Sequence, residues 1–135
     1  MTAGYSGTPL AKKLGIAENG KVFLSGAPKD YLKLIAPVPQ GAHVVTKIDG
    51  KTDIVHLFTT ERERLSALLR SSLAKIRPDA AIWVSWPKKS SKVPTDMTDH
   101  VIREIALPTG LVDNKVCAID ETWTGIRLVI RRELR

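Results

Sequence analysis

The longest periodic stretch of apolar positions lies between Thr60 and Pro78. There Leu65, Leu68, Leu69, Leu73 and Ile76 recur three and four residues apart, the stripe of one buried helix face. Thr60-Glu61-Arg62-Glu63 has capping-box spacing in front of it, and Pro78-Asp79 ends it. Shorter apolar runs at 21–25, 43–48, 54–59 and 81–86 read as strands. In the first, Val22, Phe23 and Leu24 are consecutive and apolar, as in a strand covered on both faces of a parallel sheet. Strand, helix and strand in that order over 54–86 imply a right-handed parallel crossover.

Three shorter helices complete the pattern. Thr8 caps the first, Pro9 suits its first position and Gly15 its stop, with Leu10 and Leu14 as the buried edge. The second spans 28–35, with Tyr31, Leu34 and Ile35 on one side and Pro37, Pro39 and Gly41 beyond it. The third starts at a Thr98 cap, turns Val101, Ile102, Ile105 and Ala106 inward, and stops at Pro108 and Gly110. Strands are expected at 111–119 and 126–132. Asp120-Glu121-Thr122-Trp123-Thr124-Gly125 between them is short enough only for an antiparallel pair. Residues 1–7, small, polar and glycine-containing, read as a loose arm, and 8–135 as a single domain.

One connection is short. Only 49–53 separate the second strand from the third, where a parallel crossover normally needs about a dozen residues. Either the two strands are antiparallel, or the second is short and the link crosses the sheet end in extended form. Asp49-Gly50 is a hairpin dipeptide, but its flanks do not alternate as a hairpin's do, which favours the second alternative.

With 43% hydrophobic and 26% charged residues in 135, the chain is an ordinary globular one, which excludes a disordered or fibrous reading. A single cysteine, Cys117, cannot close an intrachain disulfide or build a multi-cysteine metal site. The apolar runs are too short to span a membrane, and the N-terminus has no apolar signal-peptide core, so the expected compartment is the cytoplasm. The net charge is +7. Lys88, Lys89 and Lys92 stand without an acid in 86–95, and 127–135 holds four arginines against Glu133. That balance suits an acidic partner, or solubility alone.

The element order resembles a shortened class I methyltransferase, carried by "DIVHLF" at 53–58, "AAIWVSWP" at 80–87 and the closing strand pair. The resemblance implies a single Rossmann-like, three-layer α/β domain. Its sheet would be mostly parallel with an antiparallel C-terminal strand pair, the last strand inserted beside 81–86. The words "GYSGTPLAKKLGI" at 4–16, "WVSWPKKSS" at 83–91 and "CAIDETWTG" at 117–125 are also similar to a family of small bacterial proteins known only as a domain of unknown function. That resemblance implies no activity.

In an open α/β sheet, ligands bind at the carboxyl ends of the parallel strands. This rule makes a candidate rim of Gly26, Asp49, Thr60, Trp86, Lys88, Lys89, Ser90, Ser91, Asp120, Glu121 and Trp123. The lysines and serines suit an anion, or a solvated loop whose lysines offset Asp120 and Glu121. Trp86 offers a stacking surface or a lid, and Trp123 sits in a turn. Ser25-Gly26-Ala27-Pro28-Lys29 has one glycine where a methyl-donor loop wants several, and Pro28 removes an N–H donor. Asp49 lies 23 positions after Gly26, near the separation of a ribose-binding acid. No cofactor is expected, neither S-adenosylmethionine nor NAD.

His56, mid-strand, reads as a hydrogen-bonded core residue, and Cys117 as a small buried hydrophobe. His43 and His100 share no ligand spacing with His56, so no metal is expected. Trp83 and Trp86, three apart in a strand, point to opposite faces. The leading expectation is a non-catalytic methyltransferase-like domain binding an anionic small molecule or a protein partner at the rim. The rivals are a small transferase using that rim and a weak nucleic-acid binder through the basic loop. Nucleic acid is disfavoured by 5% aromatics and the lack of a recognition motif. Oligomeric state is left open.

Overall fold

A computed structural model describes residues 8–135; the arm expected over 1–7 lies outside them. Six strands, β1 (Lys21–Ser25), β2 (His43–Val45), β3 (Ile54–Phe58), β4 (Ala81–Pro87), β5 (Leu111–Ala118) and β6 (Trp123–Ile130), form one sheet in the order β2-β1-β3-β4-β6-β5. β1 to β4 are parallel, and β6 inserts antiparallel between β4 and β5. β5 therefore runs with β4, so the turn from β5 to β6 lies at the carboxyl edge of the parallel strands. Helices α1 (Leu10–Leu14) and α2 (Tyr31–Leu34) cover one face, and α3 (Arg62–Leu73) and α4 (Asp99–Ala106) the other. This is the α/β, mostly parallel architecture expected.

The alternating pleat divides the core in two. Val55, Leu57, Ile82, Val84, Trp86, Ile126 and Leu128 face α3 and α4, where Leu65, Leu69, Ile102 and Ala106 meet them. Val22, Ile54, Phe58 and Trp83 face α1 and α2, against Leu10, Leu14, Tyr31 and Ile35. Trp83 and Trp86 thus go to opposite sides. The Trp83 indole donates to the Leu14 carbonyl at 2.9 Å, tying α1 to the middle of the sheet. β4 is buried along its whole length, as a central strand covered on both faces must be.

The short connection is resolved by a short strand. β2 is three residues, parallel to β1, and 46–53 carries the chain back to the amino edge. Ile48 packs onto the α3 side on the way. The Asp49 N–H donates to Thr52 Oγ1 at 3.0 Å, and the Asp53 N–H to the Lys21 carbonyl at 2.9 Å. A half-buried side chain and a turn do the work of a crossover helix.

Several boundaries move. Pro9 stands just before α1, which ends at Gly15 in the left-handed conformation as expected. α2 is a single turn, starting at Tyr31 instead of Pro28. Thr60 does not cap α3: Glu61 holds the cap position without a side-chain bond, and Asp96 Oδ1, from the loop before α4, accepts from the Arg62 N–H at 2.8 Å. Thr98 does cap α4, its Oγ1 accepting from the Val101 N–H at 3.1 Å. β6 begins at Trp123, three residues early, so Trp123 belongs to a strand and not to a turn.

Leu69 is fully buried beneath α3. Leu69→Ala should cost about 2–5 kcal/mol, read as a lower urea midpoint. An unchanged midpoint would mean that α3 does not present this stripe to the sheet.

Candidate functional site

At the carboxyl edge three loops are tied together by backbone. The Lys88 N–H donates to the Thr122 carbonyl at 2.7 Å, and Pro87 pairs with Trp123 in the ladder. The Thr60 carbonyl accepts from Thr95 Oγ1 at 2.7 Å and from the Asp96 N–H at 3.3 Å. Gly26, with φ of 70°, lies so close to β3 that a Cβ there would come within 2.5 Å of the Phe58 carbonyl oxygen. Gly26, Thr60, Trp86, Lys88 to Ser91 and 120–123 therefore share one edge.

Asp49 does not join them. β2 ends at Val45, so Asp49 falls in the turn beside Asp53 at the opposite edge, where its Oδ1 accepts from the Lys51 N–H at 2.8 Å. Trp86 is nearly covered, 8% exposed, and packs into the α3–α4 core instead of offering a free stacking face. Asp120 Oδ1 is taken up by the N–H groups of Thr122 and Trp123 at 2.8 and 2.7 Å. Ser91 Oγ donates to the Lys88 carbonyl at 2.6 Å. Among the described residues no ion pair joins Lys88, Lys89 or Lys92 to Asp120, Glu121 or any other acid. Beside these lysines a hollow of about 430 Å³ is lined by Trp86, Pro87, Lys89, Thr95, Met97, Thr98 and Asp99. Pro87, Thr95, Met97, Thr98 and Asp99 are not among the candidate rim residues read from the sequence, because the hollow is made by α4 folding back over the end of β4.

On the other face, aromatic rings close the carboxyl end of β3. Trp123 meets Phe58 edge-on at 5.2 Å, and Phe58 stacks on His56 at 4.3 Å. His56 is fully buried, as expected of a core histidine. Its Nδ1 lies 2.9 Å from the Tyr31 hydroxyl and its Nε2 2.7 Å from Ser85 Oγ. A neutral imidazole offers one N–H and one lone pair, which the two hydroxyls complement. Both ring nitrogens are thus engaged away from solvent. Ser85 and Gly125 face each other across the β4–β6 ladder, and a Cβ on Gly125 would come within 2.9 Å of Ser85 Oγ. The network was not visible in the sequence, because the register that brings Ser85 beside His56 is tertiary. Cys117 is partly buried, and burial raises its thiol pKa against the opposing charges of Lys115 and Lys13.

Among the described residues no three His, Cys, Asp or Glu side chains gather as a metal site requires, and no helix is long and apolar enough to cross a membrane.

The fold is that of a class I methyltransferase. The chain is similar to an S-adenosylmethionine-dependent methyltransferase from Aquifex aeolicus, with 14% identity, 90% of this chain and 88% of that one covered, and a TM-score of 0.61. It is similar to a putative type 11 methyltransferase from Sulfolobus solfataricus at 10% identity, covering 90% and 89%, TM-score 0.62. Aeropyrum pernix fibrillarin, solved with natively bound S-adenosyl-L-methionine, follows at 11% identity, 84% and 68%, TM-score 0.53. These identities establish the fold alone. Residues 38–132 match the model of a family described as a protein of unknown function, DUF3052, and the chain belongs to that family. No curated protein matches it.

Burial pushes the His56 pKa down from 6.5 to about 3. The unfolded chain therefore takes up a proton first as pH falls, so the stability that neutral His56 gives is complete above pH 6.5 and is lost progressively toward pH 3. Urea midpoints should fall from about pH 7.5 to about pH 5, and fall less in His56→Gln. Equal slopes for both proteins would show that His56 is not held neutral.

Proposed function

We propose that this protein is a cytoplasmic, non-catalytic methyltransferase-like domain that binds an anionic small molecule at its carboxyl edge. The observation that carries the reading is the hollow between β4 and α4. It joins the unpaired Lys89 to the uncovered margins of Trp86 and Met97, with Lys88 and Lys92 nearby and no acid paired to any of the three; the one acid in its lining, Asp99, is held by Arg103. A concave site with an apolar wall and few placed polar groups suits a small ligand, and its volume of about 430 Å³ lies in the usual range for one. A cation at the mouth favours a carboxylate or phosphate on that ligand.

The fold's usual cofactor, S-adenosylmethionine, does not fit the residues present. The loop after β1 has one glycine, and that glycine's backbone already lies against the Phe58 carbonyl. Pro28 lacks a donor. The acid expected after β2 is at the other edge of the sheet. Tyr31, Phe58 and Trp123 fill the ground above β3 with packed rings. The non-catalytic reading is supported by the one buried histidine, His56, whose two nitrogens are committed inside the core on the other face of the sheet.

A thermal-shift screen of nucleotides, phosphates and S-adenosylmethionine tests this. At least one anionic ligand of the screen should raise the melting temperature of the wild type and not of Lys88→Ala/Lys89→Ala, while S-adenosylmethionine leaves both unchanged. Low-micromolar S-adenosylmethionine binding by calorimetry would overturn the reading.

A further inference from the structure

A second basic site lies at the opposite, amino edge. Leu24, His56, Trp83, Arg127 and Lys115 are successive ladder partners across β1, β3, β4, β6 and β5, so they share the α1 face. The first three are covered by α1, α2 and their loops. Beyond Trp83 the row turns cationic. Lys115 Nζ reaches the Lys13 carbonyl at 2.8 Å, while Arg127 has no hydrogen-bond or ion-pair partner among the described residues.

Two residues along β6, Val129 projects to the same side as Arg127. With Pro78, Asp79, Ala80, Asn114, Arg127 and Arg135 it lines a cavity of about 190 Å³. Asn114 is there because β5 slips register between Asp113 and Lys115, and the extra residue of such a bulge is re-aimed out of the ladder. Asp79 is the one side-chain carboxylate in the lining, and it is engaged by Arg77 Nε at 2.6 Å. The cavity thus holds two guanidinium groups and an amide without an acid assigned to either arginine.

We propose that Arg127 and Arg135, with Asn114, bind a phosphoryl group at the amino edge of the sheet. Like charges facing one cavity, Arg127 half-buried and Arg135 exposed, oppose each other until an anion sits between them. Guanidinium forks match the oxygens of a phosphate, and its double charge answers both cations. Burial and the Arg135 charge lower the Arg127 pKa, in keeping with a cation awaiting its counter-ion. The cavity admits a phosphoryl group and not a whole nucleotide. The adjoining trough beside Gly15, Ile16, Ala17 and Lys21 also has Arg127 in its wall, leaving space for the body of a phosphomonoester. This site is separate from the carboxyl-edge hollow and does not rest on it.

The test is calorimetry at fixed ionic strength with inorganic phosphate and with ribose 5-phosphate as probes. The wild type should bind at least one of them saturably. Binding as tight for phosphate as for the ester assigns the free ion, and tighter ester binding assigns a terminal phosphoryl; both support the site. Arg135→Gln, at an exposed position, should weaken binding about tenfold or more, and Arg127→Gln should abolish it with the circular dichroism spectrum retained. Lys88→Ala/Lys89→Ala should bind as the wild type does. No saturable binding by the wild type at millimolar probe, or unchanged affinity in Arg135→Gln, overturns the proposal. Loss of binding in the lysine variant instead assigns the anion to the carboxyl-edge hollow and overturns it equally.

Discussion

His56 sits in the middle of a parallel sheet where water does not reach, and much of one face is arranged to satisfy it. An imidazole buried with an unmet nitrogen would cost on the order of a few kcal/mol. The structure meets that demand from two directions. α2, though only one turn long, is placed so that Tyr31 reaches Nδ1, and β4 presents Ser85 to Nε2. Ser85 in turn requires a residue without a side chain opposite it, which is Gly125 on β6. One buried ring thereby fixes the position of a helix, the register of β3 on β4, and the identity of a residue on the antiparallel strand. Phe58 stacks on the ring, and Trp123 packs on Phe58, so the constraint extends to the carboxyl edge.

That extension bears on the functional reading. In an α/β sheet the carboxyl edge over the first strands is where a ligand ordinarily lies. Here aromatic rings occupy the ground above β3, and Gly26 is in backbone contact with it. The hollow at this edge lies farther along the sheet and on its other face, where α4 returns over the end of β4. The reading of a binding domain without methyl-transfer chemistry rests on this displacement.

The charge distribution follows a similar division. The carboxylates with the clearest partners serve structure. Burial raises the Asp53 pKa, but the Lys21 N–H and Arg77 outweigh it and hold the carboxyl below its usual range. Arg77 links Asp53 and Asp79 around the entry to β4, and Arg103 links Asp99 and Asp113 on the α4 side. Such half-exposed pairs add little stability individually. The cations left without an ion pair among the described residues include two groups at opposite edges of the sheet, the lysine loop after β4 and the pair Arg127 and Arg135. These are the two places where the proposals above put anions.

Local pattern was enough to determine the elements and their class. The leucine stripe of α3, the Thr98 cap, the Gly15 stop and the closing strand pair are short-range signals, and each depends on residues a few positions apart. Together they determined the order of strands and helices, and hence the parallel sheet with its inserted last strand. The shared edge of Lys88 and Trp123 was legible too, because it follows from strand directions alone. Register and return paths were not legible. Asp49 was misplaced because a three-residue strand sends the chain back to the amino edge sooner than its apolar run suggests. Asp96 caps α3 from 34 positions away, which no local window contains. Trp86 lost its exposed face to α4, and Asn114 joined Arg127 and Arg135 through a bulge in β5 that sequence does not announce. The tertiary structure decided which polar groups are satisfied and which remain open, because that depends on pairing between distant segments, where a one-residue slip exchanges the two faces of a strand.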